Sequence, residues 1–223
     1  MDIIKKGEFV EIKYTGYVNN EIFDSNIEED LKRLNPEAKV EKTIVAVGEG
    51  MVVNGLDKAL EGKEMNKEYA VKFGHKEGFG DRNKDLIRTI PLKVFTEKNI
   101  MPQAGMMFSL DNQIVRIVTI SGGRVMADFN NPLAGKEIDY KFKIIRRVSD
   151  EKEKIESLFK TSLRFIPEFE IRDKIVIRGH KSFEALVKSF NDKFKRLIGK
   201  ELGFEEKKEV KNSAEIDNSV VVK

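Results

Sequence analysis

The sequence predicts an α+β chain of more than one domain, and three observations carry that reading. Apolar side chains alternate with polar ones from Phe9 to Val18 and again from Ile138 to Ile144, at positions far apart in the chain. A separate block of strand signals lies between them, from Leu86 to Phe129. After Val148 the pattern turns to helix, strand and helix. A length of 223 residues also exceeds the roughly 100–150 of a typical single domain.

The elements follow in chain order. Phe9, Val10, Ile12, Tyr14, Tyr17 and Val18 read as antiparallel strands with one face in a core, punctuated by Gly16 and by Asn19-Asn20. Residues 26–42, with Leu31, Leu34 and Pro36, read as a charged excursion holding a single helical turn, before a strand from Thr43 to Val47. Gly48 and Gly50 flank a turn. Leu56, Ala59 and Leu60 then take helical spacing between Asn54, an N-cap candidate, and Gly62, a stop signal. Tyr69, Val71 and Phe73 alternate as a strand whose match in pattern is Ile138, Tyr140, Phe142 and Ile144.

The intervening block carries strands at Met107–Leu110, Ile114–Ile120 and Val125–Phe129, with turns expected at Asp111-Asn112 and Ser121-Gly122-Gly123. Beyond it, Asp150 with Glu153 has capping-box spacing for a helix. Strand signals follow at Phe165–Ile171 and Ile175–Ile177. In the last helix Phe183, Leu186, Val187, Phe190, Phe194, Leu197 and Ile198 form one apolar face, which Gly199 ends. A unit of about 55 residues has a small core, so this face suits burial on its own strands or in a homodimer. The polar stretch from Glu205 reads as a flexible tail.

Composition excludes several chemistries. Hydrophobic residues at 40% and charged residues at 35% fit a folded chain with a charged surface. The net charge of +3 arises from 41 basic against 38 acidic side chains, so there is no general basic character to attract nucleic acid. The cluster Lys193, Lys195, Arg196 and Lys200 on the last helix is better read as a solvated face. With no cysteine, disulfides, thiol nucleophiles and thiolate metal sites all drop out, which fits a reducing compartment. The charged stretch Met1–Phe9 lacks a signal-peptide core, and no run of about 18 apolar residues occurs, so a cytoplasmic protein without a membrane span is expected. The only histidines, His75 and His180, are isolated, and Gly48-Glu49-Gly50 lacks the Lys-Ser or Lys-Thr of a phosphate loop. No metal and no cofactor are expected.

Tyr14-Thr15-Gly16, Phe23-Asp24, Val47-Gly48-Glu49-Gly50, Val52-Val53-Asn54-Gly55-Leu56 and Phe79-Gly80, taken together and in this order, resemble the FKBP-type peptidyl-prolyl cis-trans isomerases of the SlyD-like kind. The resemblance covers Lys5 to Asp81 and resumes from Asn131-Pro132-Leu133-Ala134-Gly135 to Ile145, so the block between them stands where such members carry an insert-in-flap domain. It implies an antiparallel half-barrel wrapped on a short helix, formed by residues 1–83 with 130–148. An inserted β domain at 84–129, a C-terminal α+β domain at 149–204 and a tail at 205–223 complete the expected organisation.

The resemblance further implies an apolar pocket for a proline ring, lined by Tyr14, Phe23, Asp24, Val52, Val53, Leu56, Phe79 and Tyr140, with Leu133 and Ala134 beside the bound chain. The alternative for Tyr14 and Phe23 is an ordinary core aromatic, and for Asp24 a solvated turn carboxylate. Two positions depart from the family: Leu56 stands where eukaryotic members have Trp, and Phe79 where many have Tyr. In the insert, Ile100, Met101, Met106, Met107 and Phe108 cluster around Pro102 and Gly105. They read either as that unit's own core or as a soft, adaptable surface for unfolded polypeptides. The expected activity is isomerisation of X-Pro bonds in folding chains, with chaperone action from the insert; the alternative is a holdase with a vestigial pocket. SlyD itself has a metal-binding tail rich in His and Cys, and this tail has neither.

Overall fold

A computed structural model describes residues 2–110 and 113–207, in two compact units that divide between Ser149 and Asp150. The expected turn at Asp111-Asn112 and the tail beyond Lys207 lie outside the described residues. The first unit contains β1 (Phe9–Val18), β2 (Glu21–Ser25), α1 (Glu28–Leu34), β3 (Thr43–Ala46), α2 (Asn54–Leu60) and β4 (Glu68–Phe73). It continues with β5 (Ile87–Pro91), α3 (Leu92–Thr96), β6 (Met107–Leu110), β7 (Gln113–Ser121), β8 (Arg124–Asp128) and β9 (Ile138–Arg147).

β1 and β9 pair antiparallel through the middle of a five-stranded sheet of order β2-β1-β9-β4, in which the first half of β1 also pairs with β3. The two alternating segments that lie so far apart in sequence are thus neighbours. Their inward residues Val10, Ile12, Ile138, Tyr140, Phe142 and Ile144 form the core with Leu56 and Leu60 of α2. Each such side chain, fully buried, contributes about 1.5–3 kcal/mol relative to exposure, so the sheet and α2 stabilise each other far more than the seven-residue helix could stabilise itself.

Several local expectations change. Gly16 does not end a strand: β1 runs through it, with a bulge between Gly16 and Tyr17. Helix α1 covers seven residues rather than one turn. The N-cap of α2 falls on Val53, with Asn54 already helical, and Val53 makes no side-chain cap bond.

The inserted residues form their own sheet, of order β5-β8-β7-β6, with a core of Phe95, Val115, Ile117, Val125 and Ala127. The segments entering and leaving it are stapled together. Asn83 N–H donates to Asn130 Oδ1 at 2.8 Å, Asn130 Nδ2 donates back to the Asn83 carbonyl at 2.9 Å, and Gly135 N–H donates to the Gly80 carbonyl at 2.8 Å. Arg82 pairs with the buried carboxylate of Asp128, which also accepts from Asn130.

The second unit holds α4 (Glu151–Leu163), β10 (Glu168–Ile171), β11 (Ile175–Gly179), α5 (Phe183–Ile198) and β12 (Leu202–Glu206). Asp150 caps α4 by accepting from Glu153 N–H at 2.7 Å. Gly199 closes α5 at φ +83°. β12 pairs parallel to β11 and carries order to Glu206, past the boundary expected at residue 204. Arg172 and Arg178 both bridge Glu170 and Glu205 at 2.7–3.1 Å, fastening β12 to the sheet. On α5, Val187 and Phe194 are fully buried, and Phe194 lies 4.8 Å from the ring of Phe159 on α4. Phe183, Leu186, Phe190, Leu197 and Ile198 are half-buried within the unit. The cations of the last helix are engaged: Lys195 binds Glu201 and Lys200 binds Glu151, while Lys193 and Arg196 also have partners.

Candidate active site

Alternation along the central strands fixes which side chains converge. Tyr14 and Gly16 share the inner face of β1, and Gly16 sits opposite Tyr140 on β9 and Asp24 on β2. A Cβ on Gly16 would come within 2.8 Å of Phe23 Cζ and 2.9 Å of Tyr140 Cε1. The bare backbone at this point is therefore what lets the two rings meet. They do so edge to face, with centroids 5.8 Å apart.

The other walls are built from that pair. Phe79 packs edge-on against Phe23 at 5.7 Å, and Tyr14 tilts against Tyr140 at 5.7 Å. Phe73 stacks on Tyr140 at 5.9 Å and 14°. Phe73 can lie there because Gly55 in α2 has no side chain, since a Cβ would meet the Phe73 ring at 2.3 Å. Aromatic pairs of this geometry contribute about 0.5–1.5 kcal/mol each beyond burial. Val52, Val53 and Leu56, with Met51, pack on the same cluster from the segment leading into α2. Leu56 is sealed in the floor, whereas Val52, Val53, Phe23 and Phe79 are half-buried.

Two polar clamps hold the loops that carry these residues. The buried Asp57 accepts from the N–H groups of Gly48 and Gly50, both at 2.8 Å, which fixes the turn before Val52. His75 contacts Asp81 at 2.8 Å while Gly80 N–H donates to the His75 carbonyl at 2.7 Å, closing the loop that presents Phe79. Neither Asp57 nor the His75–Asp81 pair was expected as a site element. The one sequence signal for Asp57 is an acidic residue in the first turn of a helix that follows two glycines.

Electrostatically the site contains one carboxylate against aromatic walls. Burial pushes the Asp24 carboxyl above its ordinary value of 3.8, and the neighbouring Tyr14 phenol and Ser25 backbone partly offset this. Burial first, and then the neighbouring Asp24, push Tyr14 and Tyr140 well above the ordinary phenol range, so both remain protonated.

Seven of the eight residues expected to line a pocket pack into one aromatic and aliphatic cluster, and the eighth, Asp24, pairs with Gly16 beside it. The residues expected to contact substrate elsewhere divide. Leu133 packs on the same cluster, while Ala134 and Met107 line a separate crevice with Ile114, Arg82 and Asp128. Ile100 and Phe108 pack into the core of the inserted sheet, the latter edge-on to Phe95 at 5.7 Å. Met101, Met106 and Met107 are exposed, by 76%, 38% and 52%.

A model described as FKBP-type peptidyl-prolyl cis-trans isomerase matches residues 2–110, and one described as FKBP26, IF domain, matches residues 88–133. The short-type peptidyl-prolyl cis-trans isomerase of Methanocaldococcus jannaschii is 32% identical over 147 residues, which is 65% of this chain and 94% of that protein. The chain belongs to the FKBP-type peptidyl-prolyl cis-trans isomerases. Within that family it is SlyD-like: the SlyD proteins of Haemophilus influenzae and Escherichia coli are 33% and 28% identical over 102 and 110 residues. These matches cover 44% and 47% of this chain, and the chain spans about half the length of each, 53% and 56%. This FKBP-type chain therefore carries an isomerase core enlarged between β4 and β9.

Proposed function

We propose that this chain accelerates rotation about X-Pro bonds in folding polypeptides, with the enclosure around Asp24 as the catalytic site and the inserted sheet as a holder of unfolded chains. The observation that carries the first half is the meeting of Tyr14, Phe23, Phe79 and Tyr140 over a floor of Val52, Val53 and Leu56.

The chemistry suits such a site because it needs neither nucleophile nor metal. The barrier to rotation, about 18–20 kcal/mol, comes from resonance across the C–N bond. Twisting the bond removes the charge-separated resonance form, so the planar amide is the more polar species. A dry apolar enclosure therefore favours the twisted state over the ground state. The proline ring gains affinity from apolar contact, and Asp24, beside the Tyr14 phenol, orients the polar chain at the rim.

The second half rests on exposure. Met101, Met106, Met107, Ile114, Val118 and Met126 all present apolar surface on the inserted unit. Such a surface accommodates many sequences because thioether side chains are flexible and polarisable. A chain held there stays at high effective concentration beside the isomerase site.

One variant tests both halves. The hydrogen bonds between Asn83 and Asn130 bring the two ends of the insert together, so residues 84–129 can be replaced by a short turn. The shortened protein should retain its rate on a short prolyl peptide and lose most acceleration in the refolding of a proline-limited protein. Equal loss on both substrates would sink the division of labour, and an inactive full chain would sink the isomerase reading.

A further inference from the structure

Tyr140 poses a problem that packing does not answer. It is 3% exposed and touches the rings of Tyr14, Phe23 and Phe73, yet its hydroxyl donates to no group among the described residues. A phenol sealed in without a partner would cost on the order of 1–3 kcal/mol, a cost that Tyr140 escapes only if its oxygen stays accessible. No sealed-in side-chain oxygen lacks a partner among the described residues, so the Tyr140 oxygen reaches accessible surface. Asp24 and Tyr140 both pair with Gly16, and the Tyr14 ring lies 5.7 Å from that of Tyr140, so the ring stands in the same group of side chains as Asp24.

Apart from the Tyr14 phenol beside Asp24, the other lining residues offer no competing donor, since Phe23, Phe79, Val52, Val53 and Leu56 have no polar side-chain hydrogen. A proline ring entering such a site presents carbons and one nitrogen. In the planar amide that nitrogen has no free lone pair, because the pair is delocalised into the carbonyl. As the bond twists the pair localises on nitrogen, which then accepts a hydrogen bond. A donor to the carbonyl oxygen would do the reverse, since that oxygen is the stronger acceptor in the planar state.

We propose that the Tyr140 hydroxyl is a catalytic donor that hydrogen-bonds the prolyl nitrogen only while the X-Pro bond is twisted. The proposal rests on the isomerase reading above and assigns it a specific group. No bond is made or broken and the proton stays on the phenol, whose affinity for it is raised by burial. The interaction exists in the transition state and has no counterpart in the ground state, so it acts on kcat rather than KM.

The test is two-dimensional NMR exchange on a short peptide with one Leu-Pro bond, measured across peptide concentrations for the full chain and for Tyr140→Phe. The expected result is a fall in kcat of about tenfold with KM within about twofold. The denaturant midpoint of Tyr140→Phe confirms that the enclosure is intact. Incorporating 3-fluorotyrosine at position 140, a stronger hydrogen-bond donor of nearly the same shape, should raise kcat at constant KM. A ring that only packs responds to neither change. Unchanged kcat in both variants, or a raised KM with kcat preserved, overturns the proposal while leaving the isomerase reading in place. Failure of the unmodified chain to catalyse exchange overturns that reading itself.

Discussion

The two β-sheets of the first unit are made from similar residues and end in different states. In the five-stranded sheet the inward face is closed by α2, and side chains such as Ile12, Leu56, Leu60 and Ile144 are at most 1% exposed. In the inserted sheet β7 is apolar on both faces. Val115 and Ile117 are fully buried, while Ile114 and Val118 on the opposite face are 53% and 40% exposed. The five-residue α3 covers only one side, through Phe95. Apolar content therefore specifies a strand but not how many of its faces are covered. The covered sheet provides rigid aromatic walls, and the half-covered one leaves an adaptable surface.

The largest expected effect separates the two cores. Phe95→Ala removes the ring that anchors α3 and should cost the insert about 3–5 kcal/mol. Hydrogen exchange should quicken across β5–β8 while short-peptide isomerisation persists. If the amides of β1 and β9 lose protection equally, the two sheets are one cooperative unit and the contrast fails.

The next effect probes the rigid walls. Gly16→Ala sets a methyl against Phe23 and Tyr140 at 2.8–2.9 Å, with a cost of about 1–3 kcal/mol and a displaced pair of rings. Peptide isomerisation should fall sharply, in contrast to Phe95→Ala. Retained activity would show that the geometry of the two rings is not what the site depends on.

A smaller effect follows from Asp24. Its folded carboxyl titrates above its ordinary 3.8, so protonation favours the fold, and that stabilisation is lost as pH rises through the folded value. Asp24→Asn should therefore raise the thermal midpoint at neutral pH, with the gain shrinking as pH falls through the folded carboxyl's value and gone below about pH 3.8. A gain independent of pH would argue against a buried charge. The smallest change in stability, within about 0.5 kcal/mol, is expected for the double substitution Met101→Ser and Ile114→Ser on the exposed face. Suppression of aggregation of an unfolded protein should nonetheless drop, while the peptide rate stays the same. Unaltered suppression would leave the exposed face without a role.

The local sequence determined a good deal. Period-two alternation identified the inward residues of β1, β4 and β9, because a strand's side chains must alternate whatever it pairs with. Spacing and end signals found α5 and its closure at Gly199, and the Asp150 cap. That Tyr14, Phe23, Val52, Val53, Leu56, Phe79 and Tyr140 belong together was named through resemblance, whereas periodicity alone gives Tyr14 and Phe23 no partners.

The tertiary structure decided what depends on neighbours distant in the chain. Gly16 reads locally as a breaker, and only pairing with β2 and β9 makes it the gap that two rings fill. Gly55 has the same role beneath Phe73. β12 escaped notice because its parallel partner β11 lies across the whole of α5, and a short charged strand has no pattern of its own. The division of Ile100 and Phe108 from the exposed methionines was equally out of reach, since burial is set by what packs from elsewhere. Sequence fixes the direction of a side chain within its element, and the fold alone decides whether protein, solvent or substrate lies on that side.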